Sequence, residues 1–380
     1  MNFELNENQK LIQETARKYA QERIEKIASE IDRTGEFPKE IIKEMAEMGF
    51  MGMIIPEEYG GAGLDFTSLA IAVEEISKAS ASIGVIMAVN NSLCAYPILQ
   101  FGNEEQKRKY LPLLARGEAI GAFALTEPNV GSDPASLETT IKDMGDYFLL
   151  NGTKRFITNA GEAKIFVVFA TIDKNLKHKG ICALIVERDY EGFSIGKHED
   201  LLGLRSTANC ELIFEDCKVP KTNLLGEIGQ GFKIAMHTLD VSRIDIGAQS
   251  VGIAQAAFEK ALAYSKERKQ FGKYLYEFEM IQEMLADMAT KIQAARLLVY
   301  YAAFLKDKGV SRFSKESSMA KYFASQVAME TTRLAIQIHG GYGYTKDYPV
   351  ERYYRDAKCM EIYEGTSEIQ KIVIARNLIE

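Results

Sequence analysis

The feature that most constrains this chain is the period of its apolar residues, which changes twice along the sequence. Toward the C-terminus Ile281, Leu285, Met288, Ile292, Ala295 and Val299 recur at intervals of 4-3-4-3-4, placing all six on one seam of a long helix. Such a seam needs partners to cover it, so the region beyond Gly231 predicts long helices packed as a bundle. The N-terminal region is also helical in spacing: Ile12, Ala16, Tyr19, Ile24, Ile27 and Ile31 share one face, behind Asn6 and Gln9 spaced as a capping box. Pro38 suits a first helical turn, Gly49 a stop, and Asn103 with Gln106 a new start, while the turn-rich stretch from Pro56 to Gly63 interrupts the helices.

Between these regions the period shortens. Phe166-Val167-Val168-Phe169, Cys182-Ala183-Leu184-Ile185-Val186 and Leu212-Ile213-Phe214 are short β-rich runs separated by Gly, Asn and Asp turns. The expected fold class is α+β: an N-terminal helical domain over 1–120, a middle β-barrel-like domain over 121–228 and a C-terminal four-helix bundle over 229–380. At 380 residues and 47% hydrophobic the chain can fill the cores of two or three such domains.

Charge and cysteine usage narrow the function classes. A net charge of −7 offers no chain-wide attraction to nucleic acid or to an anionic membrane, so neither is expected as a partner, although a phosphate-bearing ligand would need a local basic groove. The start, Met1 to Glu7, lacks the order of a secretory signal or a transit peptide, and no apolar run approaches the ~20 residues that span a bilayer. The expected location is cytoplasmic; a matured organellar chain would look the same. Cys94, Cys182, Cys210, Cys217 and Cys359 form no C-x-x-C pair and read as reduced thiols. The four histidines, His178, His198, His237 and His339, match no ligand spacing, so no metal is expected and redox chemistry would need an organic cofactor.

The usual dinucleotide fingerprint is missing. Gly60-Gly61-Ala62-Gly63 and Gly340-Gly341-Tyr342-Gly343 have the wrong spacing and sit in helical regions, which argues against a nicotinamide Rossmann site. A flavin held between a β-domain and a bundle stays open, its pyrophosphate met by Arg or helix N-termini.

Four motifs supply a resemblance. The run Ala124-Leu125-Thr126-Glu127-Pro128-Asn129-Val130-Gly131-Ser132-Asp133 resembles the first signature of the acyl-CoA dehydrogenase family. Phe156-Ile157-Thr158-Asn159, Arg268-Lys269-Gln270-Phe271-Gly272, and Arg355 to Lys358 running on to Ile362-Tyr363-Glu364-Gly365-Thr366-Ser367-Glu368-Ile369-Gln370 agree in order and spacing, over about residues 5 to 378. Taken singly, Thr126-Glu127-Pro128 is most often a turn and Arg268-Lys269 a solvated helix end.

The resemblance implies FAD as cofactor. Phe123, Leu125, Thr126, Gly131, Ser132, Phe156, Ile157 and Thr158 are then expected along the flavin, with Thr366 and Glu368 also in contact. Arg268, Phe271, Gln337, Gly340 and Gly341 are expected to reach the ADP half from a neighbouring subunit, which implies a homotetramer built as a dimer of dimers. The same resemblance makes Glu364 the base that removes the pro-R α-proton of an acyl-CoA thioester, with flavin N5 taking the β-hydride. Its backbone N–H, with a flavin ribityl hydroxyl, is expected to stabilise the enolate. Substrate contacts fall on Ser132, Asp240, Arg243, Tyr363, Glu364 and Gly365. Relatives that carry the base near Asp240 to Arg243 differ here, since Ser242 stands in that stretch.

The sequence around Glu364 suits the task that the resemblance assigns to it. Ile362 and Tyr363 can desolvate it, Gly365 permits close backbone approach, and Thr366-Ser367-Glu368 looks like a helix start. Burial would raise its pKa and the helix N-terminus would lower it. A lone Glu in such a place is otherwise most often there for the helix dipole.

The segments Gly84 to Leu93 and Phe214 to Cys217 look most like short-chain, butyryl-type members, and electron-transferring flavoprotein is the expected electron partner. Three departures stand out. Asp245 replaces a small residue and is either a solvated helix carboxylate or a group facing the acyl pocket; Ser242 replaces a Gly and Glu279 a common Gln. The same site run backwards would be an enoyl-CoA reductase, an oxidase would release hydrogen peroxide, and a non-catalytic helical scaffold would be colourless.

Overall fold

The computed structural model describes residues 4–379, so Met1 to Phe3, part of the stretch read for a leader, lie outside it together with Glu380. Helices come first: α1 (Glu7–Tyr19), α2 (Glu25–Thr34), α3 (Lys39–Glu47), α4 (Phe66–Ala79), α5 (Ala81–Ala88), α6 (Tyr96–Phe101) and α7 (Glu104–Ala115). The capping boxes at Asn6/Gln9 and Asn103/Gln106 both form, each side chain meeting the other's backbone N–H. Pro38 is the residue before α3, one position earlier than a first-turn proline, and Gly49 takes the left-handed conformation just beyond its end. On the expected N-terminal face Ala16, Tyr19, Ile24 and Ile31 are buried, with Ile12 and Ile27 packed against the same core.

One sequence expectation needs amending. Ala81–Phe101, which joins α5 and α6 through a π-helical turn at Val89–Ala95, is long and apolar enough to cross a membrane. It is instead a core helix, with 94% of its most apolar stretch buried inside the protein. Two asparagines in the π turn stitch it to its neighbours. Asn90 donates to Met51 O and accepts from Gly121 N–H, while Asn91 accepts from Met53 N–H and donates to Phe50 O. Buried amides need such partners, and a π turn supplies the room to aim them.

The middle of the chain is an eight-stranded sheet. Its strands are β1 (Gly121–Ala124), β2 (Thr140–Asp143), β3 (Tyr147–Ile157), β4 (Ile165–Thr171), β5 (Ile181–Glu187), β6 (Phe193–His198), β7 (Cys210–Pro220) and β8 (Leu224–Leu225). They are ordered β6-β7-β3-β2-β4-β5-β8, with β1 also pairing parallel to β4. The barrel-like form expected here is thus a mixed sheet whose hydrogen-bonded path ends at β6 and β8. β4 and β5 are buried along almost their whole length, which explains why their sequences read as continuous apolar runs without alternation.

Beyond the sheet lie α8 (Gly231–Glu267), a ribbon of β9 (Lys269–Gln270) and β10 (Lys273–Tyr274), then α9 (Glu279–Asp307), α10 (Ser314–His339), α11 (Val350–Met360) and α12 (Ser367–Ile379). α10 packs on α8, α9, α11 and α12. The predicted seam on α9 is realised: Met288, Ile292, Ala295 and Val299 are buried, and Ile281 and Leu285 pack against the core. α8 is buried on every side from Val241 to Ala254, the mark of a helix in the middle of a helical layer. Gly252 allows this closeness, since a Cβ there would meet Glu74 O of α4 at 2.4 Å.

Candidate active site

Where the sheet meets the helices a cleft of about 430 Å³ opens. One wall comes from the sheet: Phe123, Leu125, Thr126, Gly131, Ser132, Phe156, Ile157 and Thr158. The other comes from Leu239 and Arg243 of α8, the turn Tyr363-Glu364-Gly365, and Ile369, Ile372, Val373 and Arg376 of α12. Val89 and Leu93 of the π turn also line it. Residues of the first, second and fourth motifs therefore converge on one space.

The sheet wall is shaped by backbone strain and a buried ion pair. A register shift between Lys154 and Ile157 accompanies a positive φ of 59° at Phe156, leaving the ring exposed in the cleft instead of buried in the sheet. Beneath it Lys154 Nζ donates to Glu127 Oε1 at 2.7 Å and to Leu125 O at 3.0 Å. The Glu127 carboxylate also accepts from the N–H groups of Glu138 and Thr139. Arg155 N–H donates to Thr126 O, tying the two wall segments together. The turn expected here is centred on Pro128-Asn129 and closed by a bridge between Glu127 and Val130, while Thr126, just before it, is cleft wall.

Glu364 sits opposite, at a φ of 53° that a side-chain-bearing residue rarely adopts. Four contacts hold its turn. Lys321 Nζ donates to Gly365 O at 2.7 Å, Gln370 Nε2 donates to Glu364 O at 3.1 Å and to Gly365 O at 2.8 Å, and Arg243 Nε reaches Glu364 O at 3.5 Å. Gly365, at φ 96°, leaves space that a Cβ would lose against Gln370 Nε2 at 2.7 Å. Strain of this kind costs on the order of 1–3 kcal/mol and persists only where the surroundings over-determine it.

Burial and neighbouring polar groups act on Glu364 in opposite directions. Burial dominates and pushes its pKa up to about 7, against the lowering pull of the Ser242 hydroxyl, Lys321 and Arg243. Ser242 donates its hydroxyl to Glu364 Oε2. A carboxyl that titrates near neutrality in a cleft is suited to move a proton.

The remaining expected residues are placed differently. Asp240 is engaged by Arg243 Nη1 at 2.7 Å and by Ser314, and it is not itself cleft wall. Thr366 and Glu368 form the start of α12 and are not cleft wall; Thr366 Oγ1 accepts from Ile369 N–H, and Glu368 is exposed. Arg268, Gly340 and Gly341 line a separate cavity of about 630 Å³, where the Arg268 guanidinium lies over the Tyr342 ring. Gln337 lines a further one, and Phe271 is 93% exposed. Within one chain this third group does not join the Glu364 cleft. Glu279 is exposed at the start of α9, whereas Asp245 is buried, which removes the solvated-carboxylate reading.

Lys321 and Lys154 were missed by sequence reasoning, and Gln370 and Glu127 stood within motifs without an assigned role. Lys321 and Lys154 reach the site across sequence separations of 44 and 27, and a lone Lys looks solvated until its burial is known, whereas Gln370 turns back only five or six positions from inside a motif that was read for other residues. Ser242 was noted only as a departure.

Three family models match the chain: acyl-CoA dehydrogenase N-terminal domain over residues 6–118, middle domain over 122–217 and C-terminal domain over 229–379. The short-chain specific acyl-CoA dehydrogenase of Clostridium acetobutylicum is 51% identical, covering 99% of both chains. The 3-(aryl)acrylate reductase of Clostridium sporogenes is 50% identical, covering 98% of this chain and 99% of the other. A solved chain from work on the electron transferring flavoprotein of Acidaminococcus fermentans, toward a mechanism of flavin-based electron bifurcation, superposes with a TM-score of 0.98 at 51% identity over the full length of both.

Proposed function

The chain belongs to the acyl-CoA dehydrogenase family, whose members are oxidoreductases, and from that premise we propose that it interconverts a short acyl-CoA and its trans-2-enoyl-CoA at the Glu364 cleft. The observation that carries the reading is Glu364 itself, a carboxyl held at a strained turn, facing a ring-sized apolar wall, with its pKa raised to about 7.

The family's cofactor is FAD, and the cleft fits it. Phe123 and Leu125 give an apolar surface, Phe156 is displaced toward the opening, and no atom lies within 4 Å of where a Gly131 side chain would begin. Leu125, Thr126, Ser132, Ile157 and Thr158 would hold the flavin. Bound there, FAD supplies a hydride acceptor at N5.

The protein's own groups do the rest. Glu364 takes the α-proton, and it is competent once ionised. Lys321, Gln370 and Arg243 hold the turn so that its carboxylate and its backbone N–H keep a fixed spacing, the N–H serving the thioester oxygen as negative charge develops. Ser242 orients the carboxylate. Tyr363 and Leu239 limit water around it, whereas Ile362, expected to help, is exposed and lies outside the cleft. Arg268, Phe271, Gln337, Gly340 and Gly341 would serve the ADP half of a cofactor in a neighbouring subunit, in a dimer-of-dimers tetramer.

Electron-transferring flavoprotein is the proposed redox partner, in keeping with the solved relative. The reductive direction is a second reading, supported by the 50% identity to a 3-(aryl)acrylate reductase beside the 51% identity to a dehydrogenase. The test is anaerobic: the purified protein should be yellow, lose its flavin absorbance on butyryl-CoA, and recover it with crotonyl-CoA. A colourless protein, or a flavin indifferent to every short thioester, would sink the reading.

A further inference from the structure

The peptide joining Tyr363 to Glu364 carries the N–H that serves the thioester oxygen, and it makes no hydrogen bond of its own. Among the described residues neither that N–H nor the Tyr363 carbonyl has a partner. The next two peptides are different, because Arg243 and Gln370 hold Glu364 O while Lys321 and Gln370 hold Gly365 O. Downstream of the strained residue the backbone is therefore pinned by its carbonyls. Upstream, the unpartnered peptide takes its place from whatever holds Tyr363.

Tyr363 has two polar anchors. Its N–H donates to Cys359 O at 3.2 Å, and its hydroxyl donates to Gln249 Oε1. Gln249 is 0% exposed, and its Nε2 donates to Ala81 O at 2.8 Å, at the start of α5. A carbonyl can accept only from the nitrogen end of an amide, so Ala81 turns the Gln249 oxygen toward Tyr363. On α8 Gln249 stands seven residues beyond Ser242, about 10 Å along the same face. Ser242 holds the Glu364 carboxylate, so one helix grips the side chains on both sides of the unpartnered peptide. Tyr363 and Glu364 both line the cleft, and a displacement of either is felt there.

We propose that Gln249 is a positioning residue: by holding the Tyr363 hydroxyl it fixes the upstream side of the Glu364 turn and so sets where the Glu364 N–H meets the thioester oxygen. This role rests on the acyl-CoA reaction proposed above, in which that N–H stabilises the developing negative charge.

The test uses the FAD-loaded protein and the variants Gln249→Met, Tyr363→Phe, their double and Gln249→Glu. One readout is anaerobic flavin bleaching against butyryl-CoA concentration. The other is the infrared carbonyl stretch of isotope-labelled butyryl-CoA bound in a Glu364→Gln background, which a donor at the carbonyl oxygen lowers without any turnover. Gln249→Met should slow limiting bleaching by on the order of 10²-fold, the loss a displacement of about 1 Å brings, and the bound carbonyl should lose part of its lowering. The half-saturating concentration should stay within about threefold, since binding outside the reacting carbon is untouched. Tyr363→Phe should act in the same way, and the double variant should be no slower than the slower single, because each change cuts the same link. Gln249→Glu keeps an acceptor for the hydroxyl and should recover part of the rate. Should Gln249→Met fail to fold, Tyr363→Phe carries the test, as it removes one oxygen atom and keeps the ring. A carbonyl stretch that stays at its wild-type value while only the melting temperature falls, or losses that add in the double variant, would overturn the positioning role. A wild type that bleaches beside Gln249 and Tyr363 variants within about twofold of it overturns that role alone, whereas a wild type that neither bleaches nor lowers the stretch overturns the acyl-CoA reading with it.

Discussion

Lys321 Nζ donates to the carbonyl oxygen of Gly365 at 2.7 Å from a fully buried position on α10. Burial lowers the Lys321 pKa to about 8 while ionised Glu364 holds it up, so the lysine and the carboxylate stabilise each other's charged forms. Lys321→Met should raise the pH midpoint of flavin bleaching by roughly one unit, because a nearby cation favouring the Glu364 carboxylate is lost. Lys321→Arg should restore part of the shift. Stopped-flow bleaching across pH 5 to 9 reads both, and an unmoved midpoint would reduce Lys321 to a packing residue.

The base itself gives the sharpest loss. Glu364→Gln keeps the shape and the hydrogen-bonding reach of the side chain but cannot accept the α-proton. Bleaching by butyryl-CoA should fall by on the order of 10² to 10⁴, with FAD content and thioester binding kept. Near-normal bleaching in that variant would reassign the base.

In the wild type, bleaching should rise with pH through about 7, since Glu364 works when ionised. Ser242 donates to that carboxylate and lowers its pKa, so Ser242→Ala should move the rising limb to higher pH. A limb that shifts down would mean the hydroxyl instead stabilises the protonated form.

Stability should follow the same titration with a definite sign. The folded pKa of Glu364 is raised above its ordinary value of 4.5, so its contribution is intact below 4.5 and is lost as pH climbs through about 7. Glu364→Gln should therefore melt higher than the wild type at pH 8.5, with the difference narrowing toward pH 5. Scanning calorimetry at the two pH values checks this, and a constant difference would contradict the raised pKa.

Lys154 and Glu127 form an ion pair that is 0% and 1% exposed under the sheet wall. Removing one member leaves the other buried and uncompensated, at a cost of roughly 3–5 kcal/mol. Lys154→Met should lower the melting temperature and loosen flavin retention together, because the same amine holds Leu125 O. The double variant Lys154→Met with Glu127→Gln should recover part of the stability.

Much of this was legible in the sequence because it depends on local spacing. The 4-3-4-3-4 seam of α9, the Asn6/Gln9 and Asn103/Gln106 boxes, the apolar runs of β4 and β5 and the start of α12 each follow from side chains a few positions apart. Family motifs pointed to Glu364 and to the sheet wall. Local reading misjudged the helix Ala81–Phe101, whose apolar character serves the core, and it could not choose between two fates for Asp245.

The amino-acid order by itself set the periods, the caps and the residue types that motifs bring to the cleft. Tertiary packing alone decided that Lys321 and Asp245 are buried, that Phe156 leaves its sheet, and that Glu364 titrates near neutrality. The reason is physical: a hydrogen-bond cap or an amphipathic seam is completed within a few residues, whereas desolvation and the field of distant charges exist only once separate segments have closed around a group.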